Sequence, residues 1–488
     1  MACQFLLCCL LGAVHGESLP ASPPPNIVMI VADDLGYGDL SCQGSKSIRT
    51  PNIDGLAQNG TRFSNFCVAQ AVCTASRAAL LSGCYPNRIG MAGALNHTSR
   101  EGIHPREELL PELLRARGYA TAHFGKWHLG TRGEFSPNYN GFDTWAGIPY
   151  SNDNGPLHPT VRGIPPLPFI VNGVVRERDP DQSMFTRRLT DLAIGFIRDN
   201  KAKPFFLYLP HVMPHVPIFA STRFAGRSGR GLYADVVEEL DSSIGEVLRT
   251  LREAGLEDNT LVLFLSDNGP FLSYGNHAGN AGPLREGKLT AFEGGVRVPL
   301  IVRWPGRVPR GRVSGELVTG LDLLPSLTAI AGAARPKLPI DGVDLSALML
   351  GAKGSQGRGD FALYSGTELH AIRKGYWKLH LPHPYLTVNG LPGKDGKPAN
   401  FTAMRPDAIE ESGIRGIASR HGYKVEQLPL SLYDLESDPG EATNRAGENP
   451  AVVAELSRLA DRFRKDLGDS LTGAKGDGLR PAEVATPR

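Results

Sequence analysis

Two pairs of polar side chains follow apolar segments that have the composition of buried β-strands. Asp33 and Asp34 come directly after NIVMIVA, and Asp267 and Asn268 come directly after LVLFLS. Three carboxylates and one amide oxygen form an all-oxygen ligand set that suits Ca²⁺ or Mg²⁺. Taken singly, an Asp-Asp pair is often a solvated turn, and DNG is a common hairpin turn. Because both pairs end a buried strand, we favour a divalent-metal site.

Basic and imidazole side chains follow the other apolar segments. Lys126 and His128 follow YATAHFG and lie on the same side of an extended segment, since they are two residues apart. His211 and His215 follow PFFLYLP, and Lys288 lies in the Gly-rich segment GPLREGKLTAFEGGVRVP. Alone, each is more simply a solvated lysine or a packed histidine. Together with a metal they suit a tetrahedral polyanion, which cations neutralise, a metal polarises and histidines serve by moving protons.

The stretch AVCTASRAALLSG contains the remaining candidates, Cys73 and Arg77. In a secreted protein a cysteine usually forms a disulfide or is buried and inert. Beyond the N-terminal leader four cysteines remain, enough for two disulfides and without zinc-site spacing: Cys42, Cys67, Cys73 and Cys84. No other nucleophile is evident near the strand ends, so a third possibility is that Cys73 does not remain a cysteine.

The elements that must position these residues follow from the periodicity of the chain. Apolar β-type segments alternate with helical patterns, which predicts an α/β fold with a mostly parallel, buried central sheet flanked by helices. Ligands of such sheets bind beyond the carboxyl ends of the strands. We predict strands at 26–32, 119–125, 204–210 and 261–266, and helices at 106–118, 234–255 and 450–467.

The length of 488 residues is too great for one compact core, so more than one domain is expected. The Gly/Ser/Lys-rich segment 351–359 predicts a boundary between a catalytic domain, 24–352, and a smaller C-terminal α+β domain with an antiparallel sheet, 360–468. The polar tail, 469–488, is predicted to be flexible. Residues 1–18 have the pattern of a signal peptide, which indicates a secreted, periplasmic or lysosome-like compartment.

The overall composition excludes some classes of function. The chain is 41% hydrophobic and 21% charged, as is usual for a soluble globular protein, and its net charge is +2. Nothing indicates a basic face that would bind nucleic acid, and no segment is long enough to span a membrane. Any attraction for an anionic substrate must therefore be local to a pocket.

Several motifs in a fixed order resemble those of one enzyme family. CTASR followed by AALLSG resembles the signature of the sulfatase family, in which C-x-P/A-x-R opens a helix. VADDLGYGD, GYATAHFGKWHLG, LFLSDNGP and EGKLTAFEGGVRVP resemble the other blocks of the family, and GIPYSNDNGP is similar to its arylsulfatase A and N-acetylgalactosamine-6-sulfatase branch. The resemblance implies an alkaline-phosphatase-like large domain and a sulfuric-ester hydrolase. Its substrate would be an aryl sulfate or a carbohydrate sulfate, and we favour the carbohydrate.

The resemblance also implies a role for each candidate residue. In the family a maturation enzyme oxidises the signature cysteine, here Cys73, to formylglycine (3-oxoalanine), whose hydrated aldehyde is the nucleophile. The implied ligands of the metal, usually calcium, are that formylglycine with Asp33, Asp34, Asp267 and Asn268, and Asp267 would also deprotonate the attacking hydroxyl. The other implied roles are Arg77 holding the nucleophile, Lys126 and Lys288 contacting sulfate, His215 (rather than His211, and possibly aided by Lys288) protonating the leaving alcohol, His128 accepting the proton of the second hydroxyl, and Ser151 binding substrate.

The chain departs from the family pattern at three positions. Ala75 replaces the commoner proline of the signature, Asn152 stands where close relatives often carry histidine, and Cys84 replaces arginine or threonine. Two other functions remain open on the same scaffold. One is a phosphomonoester or phosphodiester hydrolase, which metal and lysines alone do not distinguish, although a single metal site favours sulfate. The other is a non-catalytic binder of sulfated glycans.

Overall fold

The computed structural model of the protein describes residues 23–388, 390–401 and 413–485. Its α-helices are α1 (Pro51–Gln58), α2 (Cys73–Ser82), α3 (Leu110–Ala116), α4 (Phe185–Asp199), α5 (Leu232–Glu253), α6 (Glu293–Val296), α7 (Leu323–Ala331), α8 (Ser346–Met349), α9 (Gly413–His421) and α10 (Pro450–Leu467). Its strands are β1 (Asn26–Ala32), β2 (Thr61–Phe63), β3 (Phe66–Cys67), β4 (Glu101–Gly102), β5 (Ala120–Lys126), β6 (Thr144–Ile148), β7 (Pro168–Val171), β8 (Val174–Arg178), β9 (Phe205–Pro210), β10 (Thr260–Ser266), β11 (Leu300–Arg303), β12 (Arg312–Ser314), β13 (Val318–Thr319), β14 (Asp360–Ser365), β15 (Glu368–Lys374), β16 (Trp377–His380), β17 (His383–Val388), β18 (Tyr423–Leu428), β19 (Ser431–Asp434) and β20 (Glu483–Val484).

Ten strands form the large sheet, in the order β12-β2-β11-β10-β1-β9-β5-β6-β7-β8. The five central strands, β10-β1-β9-β5-β6, are mutually parallel, and antiparallel strands flank them on both sides. The sequence of β1 explains its central place, because it is apolar on both faces. Ile27 and Met29 face one buried apolar layer, and Val28 and Ile30 face the other. The predicted mostly parallel sheet between helices is confirmed.

A second, smaller sheet follows the predicted boundary segment. It has the order β14-β15-β16-β19, is antiparallel throughout, and begins at Asp360. Leu456 and Leu459 of α10 pack in the same apolar cluster as Leu369 and Phe361 of this sheet. That cluster continues into the large domain, so the two sheets share a core and hold a fixed relation to each other.

Residues of the polar tail contact the large domain as far as residue 485, and the flexibility of 469–488 stays a prediction. Its strand β20 pairs with β4 of the large domain. The Arg480 guanidinium donates to both oxygens of Glu107 at 2.7 and 2.8 Å. A polar segment without a core of its own is thus fastened by backbone hydrogen bonds and an ion pair. The predicted signal peptide, 1–18, lies outside the described residues.

No helix in the described ranges combines the length and apolar character needed to cross a bilayer.

Candidate active site

The carboxyl ends of β1 and β10 bring the predicted metal ligands together. These strands are parallel neighbours in which Ala32 is paired with Ser266, so the residues that follow lie side by side. The backbone nitrogen of Asp34 donates to Oδ1 of Asp267 at 3.1 Å, and Nδ2 of Asn268 donates to Oδ1 of Asp34 at 2.6 Å. All four predicted ligand side chains are buried. The carboxyl ends of two neighbouring strands thus bring three carboxylates together, which neither strand could do alone.

Cys73 is the first residue of α2, a helix that ends at Gly83 in the left-handed conformation. Its Sγ lies 3.6 Å from Oδ1 of Asp33 and 3.2 Å from Nζ of Lys288. Burial raises the pKa of the thiol to about 12, although Lys126 and Lys288 act in the opposite direction. A cysteine here is protonated at neutral pH and is not an activated nucleophile, because the thiolate is the reactive form.

Two buried lysines face these acids. Nζ of Lys126 donates to Oδ2 of Asp33 at 2.6 Å, and Nζ of Lys288 donates to Oδ1 of Asp34 at 2.7 Å. Burial opposes the charge of each lysine, but the neighbouring carboxylates hold both lysine pKa values above the ordinary value. Both ammonium groups are therefore fixed positive charges at the strand ends.

Arg77 lies on α2 and contacts residues at the ends of β1, β5 and β10. Its Nε and Nη2 lie 3.0 and 2.8 Å from Oδ2 of Asp267, and Nη1 donates to the carbonyl of Lys126 at 3.1 Å. Nη2 is also 3.4 Å from Oδ2 of Asp33. Because Arg77 is fully buried and holds one turn of α2 against the acids, it fixes the position of the helix N-terminus and hence of residue 73.

His215 reaches the site from the segment after β9. Its Nδ1 lies 2.5 Å from the carbonyl of Val216 and 3.1 Å from Oδ1 of Asn152, so Nδ1 carries the proton. Its Nε2 lies 3.7 Å from Oδ2 of Asp34 and faces the acids. Asn152, at the position where relatives often carry histidine, thus orients the imidazole of His215.

The other two predicted histidines have contrasting surroundings. Nε2 of His128 lies 2.7 Å from the carbonyl of Leu95, so this nitrogen donates, and its buried Nδ1 has no partner among the described residues. Burial, followed by Lys126, holds the pKa of His128 well below its ordinary value, so the ring is neutral and Nδ1 carries no proton. His211 is buried away from the cavity, with Nε2 3.2 Å from Oγ of Ser243.

Two non-glycine residues of the site have left-handed backbone conformations. Asp34 has φ of 65° and His128 has φ of 66°. Such conformations cost on the order of 1 kcal/mol or more and cluster at functional sites, where the surrounding structure enforces them. Each occurs at the turn that follows a central strand, and each directs a polar side chain toward the same place.

A cavity of about 390 Å³ opens onto Cys73 and Lys288. His128, Ser151 and His215 also line it, and the smaller domain contributes Tyr364–Gly366 and residues of α9 to its outer wall. Oγ of Ser151 donates to Oδ1 of Asp153 at 2.5 Å. The cavity therefore joins the strand-end residues to a wall built from both domains.

The donors present fit a divalent cation. Ligand atoms of one group lie within 4.8 Å of one another: Asp33, Asp34, Cys73 and His215. This group differs from the predicted set by including His215 in place of Asp267 and Asn268. We favour the all-oxygen set, because Oδ1 of Asn268 is buried without a partner among the described residues, and hard cations prefer oxygen to imidazole nitrogen.

The sulfatase family model matches residues 25–333. The chain belongs to the sulfatase family. It is 39% identical over 467 residues to arylsulfatase A of Homo sapiens, covering 90% of this chain and 88% of the relative. It is 40% identical over 459 residues to N-acetylgalactosamine-6-sulfatase of Homo sapiens, covering 90% and 85%. Among solved structures, Ps i-CgsB in complex with k-i-k-neocarrahexaose matches with a TM-score of 0.72 and 29% identity, covering 90% and 92%.

This sulfatase is accordingly an enzyme that hydrolyses sulfate esters, as the motifs predicted. The predicted alkaline-phosphatase-like fold is also confirmed by the match of both sequence and structure to sulfatases. The four cysteines at 42, 67, 73 and 84 are all free, so the two disulfides that their number allowed do not form.

The outer wall of the sulfatase cavity contains residues that the sequence did not single out. Asp153 lies two residues after Ser151, and His158 follows on the same loop. Phe271 follows the DNG turn, and His421 comes from the end of α9 in the smaller domain. A polar SNDN segment beside Ser151 was the one available signal, since no local pattern marks His421.

His370 and His380 lie in a buried polar network between the two domains. Nε2 of His380 lies 2.8 Å from Oε1 of Glu441. Nζ of Lys378 lies 2.9 Å from Oε1 of Glu293 and 3.0 Å from Oε1 of Glu441. Glu441 also accepts the backbone N–H of Glu293 at 2.6 Å, at the start of α6. The smaller domain therefore anchors the segment that follows Lys288.

Replacing Lys378 by methionine should lower the free energy of unfolding by about 3 kcal/mol, because two buried carboxylates would lose the cation that they share, although Glu293 keeps Arg373 and Arg297 and Glu441 keeps His380. Burial already raises the pKa of Glu441 to about 7 with Lys378 present. The midpoint and slope of urea unfolding measure the change. Lys374→Met is the matched control, since Lys374 pairs with Glu455 at the surface and should lose less than about 1 kcal/mol. Equal losses in the two variants would contradict the prediction.

Proposed function

We propose that this sulfatase removes sulfate from a carbohydrate, using a formylglycine derived from Cys73 and a bound divalent cation. The observation that carries the proposal is the position of Cys73, at a helix N-terminus between Asp33 and Lys288 and open to the cavity. A helix N-terminus favours negative charge on a neighbouring group. The same position would leave an ordinary thiol protonated, so oxidation of Cys73 gives the residue a function there.

The cation would be held by Asp33, Asp34, Asp267 and Asn268 together with residue 73, and calcium is our first choice over magnesium. The orphaned Oδ1 of Asn268 supports this ligand set. When bound, such a cation polarises a sulfate oxygen and neutralises negative charge. Arg77 keeps the acids and α2 in register through its contacts with Asp267 and Asp33.

The side chains of the site divide the remaining work between binding and proton transfer. Lys126 and Lys288 bind sulfate oxygens as fixed charges, and Ser151 orients the ester at the cavity wall. His215, which keeps its Nδ1 proton, donates a second proton carried on Nε2 to the leaving oxygen, with Lys288 beside it. His128 accepts a proton at Nδ1, the nitrogen that has no described partner. Asp267 accepts the proton of the attacking hydroxyl.

Formylglycine would supply a hydrated aldehyde with two hydroxyl groups. One hydroxyl would attack the sulfate ester, and loss of the proton of the other would expel sulfate as the aldehyde forms again. One difficult displacement is thereby divided into two easier steps.

Two considerations favour a carbohydrate ester over a simple aryl sulfate. The names of N-acetylgalactosamine-6-sulfatase and of the neocarrahexaose complex refer to saccharides. The outer cavity wall is also rich in hydrogen-bonding side chains, including Asn154 and His158, which an aryl ring cannot use.

The substrate partner is then a sulfated saccharide, and a formylglycine-generating enzyme is the second partner. The leader at 1–18 supports passage to a secreted, periplasmic or lysosome-like compartment. We assign catalysis to 24–352, with 360–468 as the smaller domain.

Sulfate should be preferred to phosphate, because phosphatases of this superfamily recruit a second metal, whereas the described residues contain one candidate metal cluster. We expect kcat/KM for p-nitrophenyl sulfate to exceed that for p-nitrophenyl phosphate by at least about tenfold, or about 1.4 kcal/mol in the barrier. Parallel assays of one metal-loaded preparation test this. A preference for phosphate would overturn the assignment of sulfate as the transferred group.

A further inference from the structure

The cavity carries a carboxylate that the proposed mechanism does not use. Oδ1 of Asp153 accepts hydrogen bonds from Oγ of Ser151 at 2.5 Å and from Nδ2 of Asn154 at 3.0 Å. Its other oxygen, Oδ2, makes no hydrogen bond within the described ranges, although Asp153 lines the cavity. The first oxygen fixes the direction of the carboxylate, and the second is left for a ligand.

The surroundings of Asp153 keep it ionised. Burial alone would favour the neutral acid, but His215, His158 and Lys126 hold the pKa of Asp153 below its ordinary value. An ionised carboxylate only accepts hydrogen bonds. Asp153 and His215, the proposed donor to the leaving oxygen, line the same cavity.

His158 supplies the complementary donor. Its Nδ1 accepts the backbone N–H groups of Thr160 at 3.0 Å and Val161 at 2.9 Å. Two donors at Nδ1 require the proton of the neutral imidazole to reside on Nε2. His158 follows Asp153 on the same loop and lines the same cavity, so an acceptor and an N–H donor with a fixed tautomer belong to one wall.

We propose that Asp153 and His158 form a subsite for a hydroxyl group of the substrate, next to the carbon that bears the sulfate ester. A hydroxyl both donates, to Asp153, and accepts, from His158. An ammonium group could satisfy only the carboxylate, and an unsubstituted aryl ring could satisfy neither. The inference rests on the proposed function and narrows its substrate class to sugar residues with a free hydroxyl adjacent to the sulfate.

A substrate–enzyme double-mutant cycle tests this subsite. A panel of monosulfated glucose, galactose, N-acetylglucosamine and N-acetylgalactosamine first identifies a saccharide that the holoenzyme hydrolyses. The values of kcat/KM for that compound and for its analogue with hydrogen in place of the adjacent hydroxyl are then measured for the wild type and Asp153→Asn. Asparagine keeps the volume of the side chain and can still accept from Ser151.

With the hydroxylated substrate, Asp153→Asn should lower kcat/KM by about 10- to 100-fold, the effect of losing a charge-assisted hydrogen bond. With the deoxy analogue, the same substitution should cost less than about threefold, because the shared contact is already absent. His158→Phe should reproduce this non-additive pattern. Glu134→Gln, which changes an exposed acid, serves as the control for general effects of charge.

Equal losses with both substrates would overturn the subsite and mark Asp153 as a support for Ser151 or His215. A wild-type enzyme that hydrolyses p-nitrophenyl sulfate but no saccharide of the panel would instead overturn the carbohydrate assignment, and the subsite with it. The two failures are therefore distinguishable. If Asp153→Asn does not fold, which circular dichroism would reveal, the cycle with His158→Phe decides the matter.

Discussion

Cys73→Ala should lower kcat for aryl sulfate hydrolysis by about 10⁶-fold, the loss seen when a catalytic nucleophile is removed. The physical reason is that residue 73 alone combines three features: a helix N-terminus, contact with the acids, and exposure to the cavity. Lysines and a cation can bind sulfate without it, but they provide no atom to attack. Steady-state rates at saturating substrate measure the effect.

The matched control is Cys42→Ala, since Cys42 is a free cysteine outside the cavity, and the variant should keep the wild-type rate. Mass spectrometry of the tryptic peptide that contains residue 73 should find formylglycine in active protein. Fully active enzyme that carries only an unmodified thiol at Cys73 would refute the proposed nucleophile. Substantial activity in Cys73→Ala would do the same.

The strands that form the site could be predicted closely from the sequence. The segment predicted at 26–32 is β1 itself. Those predicted at 204–210 and 261–266 differ from β9 and β10 by one residue at one end, and that predicted at 119–125 is shifted by one residue from β5. Strands buried on both faces are continuous apolar segments, and the polar residues that follow mark their ends clearly.

Helix ends were less predictable. The pattern predicted a helix over 106–118, whereas α3 spans Leu110–Ala116. Pro111 explains the late start, because proline is tolerated only in the first turn of a helix, where its missing N–H is not needed. The apolar periodicity continued past both real ends, since neighbouring leucines such as Leu109 are buried in the same core without being helical.

The wall of the cavity could not be predicted, because it depends on which distant segments meet. Arg420 and His421 come from α9, more than 250 residues beyond Ser151, and no local pattern connects them. His370, by contrast, lies outside this wall. It packs instead against His383, with ring centroids 3.8 Å apart. The polar residues at the strand ends can thus be predicted from the local sequence. The residues of the cavity wall cannot, because they depend on the contact between the domains.

The charges of the site are likewise not evident from the overall composition. A net charge of +2 gives no indication of an anion site, yet three cationic side chains are buried at one sheet edge beside three carboxylates. The near balance of these six charges explains how so many can be buried together. When a divalent cation binds, the net charge of the site becomes positive. A positively charged site attracts the negatively charged sulfate ester.

Removing the divalent cation should abolish activity and also lower stability. Lys126, Lys288 and Arg77 would have to neutralise the three acids alone, and both lysines would then be occupied by carboxylates rather than available to sulfate, as their contacts with Asp33 and Asp34 indicate. Dialysis against a chelator should reduce the rate to background, and added Ca²⁺ should restore it. At a calcium concentration about 100-fold above Kd, stability should rise by about 2.7 kcal/mol.

Thermal unfolding with and without Ca²⁺ measures this stabilisation independently of turnover. Asn268→Leu is the sharpest variant, because it removes an amide oxygen at the strand end that is buried without a described partner, while approximately conserving volume. It should abolish the calcium-dependent rise in melting temperature, whereas Asn259→Leu, at the opposite end of β10, should retain it. If Mg²⁺ stabilised the wild type more than Ca²⁺, the preference for calcium would be wrong. If neither ion changed stability or rate, the strand-end acids would be a structural charge cluster held by Lys126, Lys288 and Arg77, and no metal site would exist there.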